Sequence, residues 1–296
     1  MEHNSWATLS TQLANATEKV GASAVAVLSS DGTFLSSALA WRDGGIFVTT
    51  AHSLKKASNL AVLLPDGRRA SATLKGKVRG FDLAVLHVDE SLPLPAFGDP
   101  GLARPGNLML VTGRSLDTGV NATIGAISAV SGPWQTWTGG NMPRFIRLDV
   151  ALFAGVDGGA VVDSSGAVIG IATSALSRIA GVVIPKETVD AAIDSVLAGK
   201  GGEPAFLGVG LHEIEYDGRP TPIVLSVDPK GAAAASAAIF VGDLITSLDG
   251  KPITGIRGLW SILNDPAIVG RPVEVGLIRG GEPAKAQVTL SVRSHE

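Results

Sequence analysis

The sequence predicts a mainly β-stranded protein built as two domains. Three observations carry this. A chain of 296 residues is long enough to bury two separate cores. Its 37 glycines and 5% aromatic content suit many short strands joined by tight turns. From Ala22 to Ile184 short apolar runs alternate with glycine, proline or charged turns, and beyond that point the period changes.

Taken in order, the first region is all-β. In "NLAVLLPDGRRASATLKGKV", Asp66 and Gly67 make a hairpin turn between two strands. "KETVDAAIDSVLAG" then places Val189, Ala192, Ile193, Val196 and Leu197 at helical spacing, with Gly199 set to stop a helix over about 186–198. "GKGGEP", residues 199–204, is a glycine-rich linker, so the first domain is expected over 1–200 and the second over 205–296. In the second, "FLGVGL" opens the unit and "GAAAASAAI" is a short alanine helix. "FVGDLITSLDGKPI" reads as strand, turn and strand, "RGLWSILND" as a helix, and "VEVGLIRGGEPAKAQVTLSV" as a closing hairpin.

Charge and composition remove several function classes. Lys plus Arg is 24 against 27 Asp plus Glu, and a net charge of −3 gives no electrostatic footprint for nucleic acid or anionic lipid. With no cysteine, disulfides, thiol catalysis and zinc-thiolate sites are excluded. No apolar run approaches the roughly 18 residues of a membrane span, and "MEHNSWATLSTQLANATEKV" lacks the apolar core of a signal peptide. Direct membrane insertion is therefore not expected.

The residues able to carry chemistry lie in the first domain. His52 follows an apolar run in "VTTAHSL", Asp82 opens another in "FDLAVLHVD", and Asp157 sits in "AGVDGGAVVDSSG". Either of the first two alone is ordinary, a packed histidine or a strand-flanking carboxylate. Together and in this order they fit a serine-hydrolase arrangement in which an imidazole takes a proton, a buried carboxylate fixes its tautomer, and a glycine-rich turn aims N–H groups at an oxyanion.

Seven segments in order, "VGASAVAVLSSDG", "GGIFVTTAHSL", "FDLAVLHVD", "ATIGAISAVSG", "IRLDVALFAGVDGG", "GAVIGIATS" and "GVVIPKETVDAAIDSVLAG", resemble successive blocks of an HtrA-type serine protease domain. "FLGVGL" and "GAAAASAAIFVGDLITSLDGKPI" resemble the PDZ domain that follows it in that family. The resemblance spans nearly the whole chain and implies a trypsin-like double six-stranded β-barrel followed by an α+β PDZ domain. It places His52 on the general base, Asp82 on the orienting acid, and Gly155 with the N–H of Asp157 on the oxyanion hole. Asp157 stands where the family has its nucleophilic serine. Phe153, Ala154, Val156 and Ala160 depart from the family pattern around it.

A carboxylate is a weak nucleophile toward an amide, because it is the better leaving group and the adduct falls back. An aspartic-protease dyad does not follow either, since an imidazole separates Asp82 from Asp157. Other hydroxyls are poorer candidates: Ser53 is expected to leave its strand in another direction, and Ser164 and Ser165 fill a hairpin turn. His52, Asp82 and Asp157 have the donor types of a zinc or manganese site, but an imidazolium held by carboxylates needs no metal, and no cofactor is expected.

The second function expected is peptide binding. Domains of the PDZ type add an extended peptide to a sheet edge and receive its terminal carboxylate on loop N–H groups, and Phe206, Leu207, Gly208 and Val209 are placed to supply that loop and edge. An ordinary strand with a glycine bulge is the plainer alternative. The expected protein is thus a catalytically inactive HtrA-type homologue that binds peptides, protein C-termini or unfolded chains as scaffold, chaperone or regulator. The alternative is an active HtrA-like serine endopeptidase in protein quality control. The resemblance further implies a homotrimer formed through the N-terminal segment, where Trp6 lies, and a periplasmic or other extracytoplasmic location.

Overall fold

A computed structural model describes residues 5–54, 59–200, 205–265 and 268–292. It divides into two compact units, one of residues 1–134 and 142–201, the other of residues 135–141 and 202–296. Residues 201–204 of the expected linker lie outside the described residues.

The first unit opens with a helix that the strand-centred reading missed, α1 (Ser5–Gly21). Its signal is present as Leu9, Leu13, Ala16 and Val20, a narrow stripe three and four residues apart that faces the protein while most of the helix is exposed. Six antiparallel strands then close into a barrel: β1 (Ala24–Ser29), β2 (Phe34–Arg42), β3 (Ile46–Thr50), β4 (Leu60–Leu63), β5 (Arg69–Val78) and β6 (Leu83–Val88), in spatial order β1-β2-β3-β6-β5-β4. Asp66 and Gly67 do lie in the turn joining β4 to β5.

The second barrel uses β7 (Leu108–Ser115) and β8 (Gly119–Ser131). After the short strands β9 (Trp134–Gln135) and β10 (Asn141–Met142), it continues with β11 (Phe145–Leu148), β12 (Ala160–Val162), β13 (Val168–Thr173) and β14 (Val182–Pro185). Its closed order is β11-β14-β13-β12-β7-β8.

Strands such as β2 and β3 are apolar on both faces because each face has its own core. Ala38, Ala40 and Phe47 fill the first barrel with Val25, Val27, Val62 and Leu86. Leu39, Trp41 and Val48 pack outward with Leu110, Val162, Ile171 and Ile184 of the second barrel, which joins the two. α2 (Lys186–Ser195) caps this shared core through Val189, Ala192 and Ile193. Its Asp190 accepts the indole N–H of Trp41 at 2.8 Å, and Arg42 donates to Asp194 at 2.6 Å. Gly199 at φ +72° ends the helical path, so Leu197, expected on the buried stripe, is exposed instead.

In the second unit a short pair, β15 (Ala205–Phe206) with β22 (Ser291–Val292), precedes a sheet of β16 (Val209–Tyr216), β17 (Arg219–Val227), β18 (Leu244–Leu248), β20 (Pro272–Arg279) and β21 (Glu282–Thr289), in that spatial order. β19 (Lys251–Pro252) pairs with β18. The helices are α3 (Ala232–Ser236), the predicted alanine run, and α4 (Gly255–Leu263), which buries Leu259 and Leu263. The long β16–β17 hairpin was missed as a pair. Its turn, Asp217 at φ +50° and Gly218 at φ +70°, is the left-handed two-residue type that suits a hairpin.

Candidate active site and peptide-binding edge

Strand pairing assembles the candidate catalytic cluster. The β3–β6 register sets Thr50 opposite Leu83, so the residues just beyond each strand end, His52 and Asp82, meet although thirty positions separate them. Asp82 follows a single 3₁₀ turn and sits at φ +54°, a left-handed conformation that aspartate tolerates better than most residues. Its Oδ1 accepts the backbone N–H of His52 at 2.8 Å. Its Oδ2 accepts His52 Nδ1–H at 2.8 Å and the Thr173 hydroxyl at 2.6 Å. Three donors on one buried carboxylate satisfy its charge and fix the ring of His52.

Asp157 approaches the other edge of the same ring, with Oδ2 3.5 Å from Nε2. That carboxylate also accepts the Ser174 hydroxyl on Oδ2 and, at 3.4 Å on Oδ1, the Ser174 N–H. Burial opposes a charge on His52, but the hydrogen bonds to Asp157 and Asp82 and their negative charges outweigh it and push the imidazole pKa up to about 10. At neutral pH the ring is an imidazolium with no site left to receive a proton. Asp82 and Asp157 flank opposite nitrogens, so the two carboxylates do not converge on a common point beside one ring nitrogen, as ligands of a single ion would have to.

The glycines after Asp157 have steric causes. Gly158 lies at φ +79°, and a Cβ there would stand 2.5 Å from the Ser37 carbonyl oxygen; one on Gly159 would stand 2.4 Å from that of Thr112. The turn is pinned from β2, where the Ser37 hydroxyl donates to Gly155 O at 2.9 Å and the Ser37 N–H to Asp157 O at 3.2 Å. Within it, the N–H groups of Val156 and Asp157 both donate to Phe153 O, at 2.9 and 3.0 Å. The expected oxyanion donor of Asp157 is therefore turned back into its own loop, and the pair of N–H groups expected from Gly155 and Asp157 is not presented in this conformation.

Ser53 corrects another expectation. It does not point away: its Oγ lies 3.4 Å from His52 Nε2 and shares a hydrogen bond with Thr50 Oγ1 at 2.8 Å. The single 3₁₀ turn His52–Leu54 folds it back beside the ring. Thr173 and Ser174, which complete the two carboxylate shells, were not singled out in the sequence. Their signal was only two hydroxyl residues, one ending the apolar strand β13 and one just after it.

The second candidate site is the entrance to β16. Phe206 ends β15, Leu207 is buried, and Gly208 turns at φ +76° before Val209 begins the edge strand. The carbonyls of Leu207 and Gly208 are taken by the N–H groups of Ala233 and Asp228, each at 2.8 Å. Among the described residues, the N–H groups of Leu207 and Gly208 donate no hydrogen bond. A Cβ on Gly208 would stand 2.4 Å from Gly231 Cα, which accounts for the glycine independently of its φ.

Two family matches agree with this architecture: residues 32–171 match the trypsin-like peptidase domain and residues 205–290 the PDZ domain. The chain pairs a trypsin-like peptidase fold with a PDZ domain. It is 30% identical over 267 residues to the periplasmic serine endoprotease DegP of Escherichia coli, covering 85% of this chain and 56% of that protein. It is 30% identical over 273 residues to the serine protease Do-like HtrA of Lactobacillus helveticus, covering 83% and 65%. The chain thus spans between about half and two thirds of the length of these relatives. Among solved structures, the HtrA-type protease AlgW with a decapeptide superposes with a TM-score of 0.68 at 23% identity, over 96% of this chain and 99% of that one. A serine endoprotease from Yersinia pestis gives 0.68 at 24%, over 95% and 98%. These relatives support an HtrA-type serine protease homologue. Among the described residues, no helix is long and apolar enough to cross a membrane.

Proposed function

We propose that this protein is a catalytically inactive HtrA-type homologue that binds peptides, protein C-termini or unfolded chains through its PDZ domain and works as a scaffold, chaperone or regulator. One observation supports the inactive reading: the Asp157 carboxylate, which the family resemblance sets at the nucleophile position, lies 3.5 Å from His52 Nε2 and helps hold His52 as an imidazolium. A base that is already protonated takes no proton, and a carboxylate attacking an amide returns to starting material. The N–H of Asp157 donating to Phe153 O supports the same reading, because the developing oxyanion would lack that donor.

Peptide binding by addition to β16, with the terminal carboxylate on the N–H groups of the Phe206–Val209 segment, is supported by the free strand edge and the unused donors of Leu207 and Gly208. An extracytoplasmic location, favoured by the periplasmic relative DegP, and a trimer built through the N-terminal segment, implied by the family resemblance, belong to the same proposal. Those relatives are named as endoproteases, which favours the rival reading of an active enzyme. Incubating the purified chain with casein, with the His52→Ala variant as control, separates the two. No cleavage by either is expected, and cleavage that disappears with His52 would overturn the inactive reading.

A further inference from the structure

Among the described residues, β16 is the outer strand of its sheet and pairs on one side only, with β17. An open edge of this kind offers a row of unpaired N–H and C=O groups to a second strand. Side chains along β16 alternate, so Leu211, Glu213 and Glu215 share one face. That face is the one toward α4, because Glu213 Oε2 accepts the N–H of Ile256 in the first turn of the helix at 2.9 Å. A Cβ on Gly255 would collide with the same oxygen at 2.4 Å, so the helix start and the edge strand lie close together here.

Capping explains part of this arrangement. Thr254, at the N-cap of α4, makes no side-chain cap bond, and Glu213 takes over that task from the neighbouring strand. It does not explain Glu215, one pleat further on, which is exposed. Among the described residues neither Glu213 nor Glu215 forms an ion pair, whereas Asp243, Asp249 and Glu274 of the same unit are each held by an arginine or lysine. The groove therefore runs from an apolar end at Val209 and Leu211 to an uncompensated acidic end at Glu213 and Glu215.

An antiparallel strand laid on this edge with its last residue beside Val209 has its side chains in register with the groove. The residue two positions upstream falls beside Leu211, the fourth beside Glu213 and the sixth beside Glu215. We infer that the edge of β16 selects peptide tails that combine a hydrophobic C-terminal residue with Lys or Arg four and six positions upstream. The inference rests on the peptide-binding reading and names the chemistry of the partner: a basic tail, read by two carboxylates on one face of the edge strand. Glu213 serves both purposes at once, one oxygen on the helix N–H and the other open to a cation.

The test uses the full chain and three fluorescent decapeptides with the same free hydrophobic C-terminus, carrying Lys, Ser or Glu at both upstream positions. Anisotropy titrations at low salt are expected to rank them Lys, Ser, Glu, with about fivefold or more between the first and last and a narrower gap as salt is raised. Glu215→Lys, an exposed change away from the helix cap, should erase or reverse the ranking. Glu213→Gln by itself should narrow the ranking, with thermal unfolding used to check that α4 stays in place. Equal affinity for the three peptides, or a ranking that survives Glu215→Lys and Glu213→Gln, overturns the charge selection alone. Failure of all three peptides to bind, the Ser peptide included, overturns the peptide-binding reading and this inference with it.

Discussion

The carboxylate of Asp157 stands 3.5 Å from Nε2 of His52, on the side of the ring opposite Asp82. In a working hydrolase of this architecture that place belongs to a neutral hydroxyl, which leaves the ring free to gain a proton during the reaction. Here the ring begins with the proton already bound between two anions. On the proposed reading, the site keeps the frame of a catalytic centre without a free nitrogen to take up a proton.

The first prediction is a titration. The imidazole of His52, followed by NMR, should remain protonated until pH about 10, far above the ordinary value near 6.5. The folded-state pKa is raised, so the stability this group contributes is fully present below pH 6.5 and is lost as pH rises toward 10. With its partial solvent exposure taken into account, the contribution is on the order of 1–2 kcal/mol. Denaturant midpoints that do not move between pH 6 and 10 would contradict it.

Removing one anion gives a second test. Asp157→Asn keeps the shape and a hydrogen-bonding oxygen for Ser174 but deletes the charge beside Nε2, so the His52 pKa should fall by at least about one unit. An unchanged titration in this variant would assign the elevated value to Asp82 alone.

The turn itself is open to a steric test. Gly158→Ala places a methyl group 2.5 Å from Ser37 O at φ +79°, and the protein should lose more than about 2 kcal/mol of stability. Gly67→Ala, at φ +86° with nothing within 4 Å, should cost only about 1 kcal/mol. Comparable losses at the two positions would mean that backbone conformation, not contact with β2, sets the demand for glycine after Asp157.

How far the sequence could lead depended on the range of the contacts involved. The strands of the first unit were legible because turns such as Asp66-Gly67 are local records of strand structure, whereas their closure into two barrels was implied by the family resemblance. The helix α2 was legible from its stripe, except at Leu197, where exposure depends on how the chain leaves the helix at Gly199. Helix α1 escaped because its stripe is only one residue wide per turn and the remaining positions are mostly polar or alanine. The direction of the Asp157 N–H, the fold-back of Ser53 and the roles of Thr173 and Ser174 were not legible. They are set by a peptide plane, a 3₁₀ turn and a register across two barrel strands, none of which leaves a pattern in residue types.

A fourth prediction concerns the PDZ domain. The full chain should bind a peptide with a free hydrophobic C-terminus at micromolar strength, on the order of −8 kcal/mol, and should bind the amidated form more weakly. Gly208→Ala should weaken both, because its methyl group would stand 2.4 Å from Gly231 Cα and shift the segment that carries the donors of Leu207 and Gly208. Equal affinity for free and amidated peptides would remove the terminal carboxylate from the recognition.

The last prediction is that the unmodified chain cleaves no protein substrate and that Asp157→Ser alone restores little or no turnover. The substitution would release His52, since one of its two anions is gone, and would return a hydroxyl to the place beside Nε2. It would not rebuild the oxyanion hole. An oxyanion donor contributes roughly 3–4 kcal/mol only when its N–H points at the developing charge, and the N–H of position 157 donates instead to Phe153 O at 3.0 Å. Phe153 and Val156 form the turn that aims it, Val156 is fully buried, and the Gly155 carbonyl is held by Ser37, so the peptide planes cannot reorient without repacking. The decisive measurement is labelling of Asp157→Ser by a fluorophosphonate. Slow or absent labelling, with the His52 pKa shown by NMR to have fallen, would locate the defect in the hole. Fast labelling with turnover would show that the donors turn outward once the carboxylate is gone, and that the nucleophile was the only part missing.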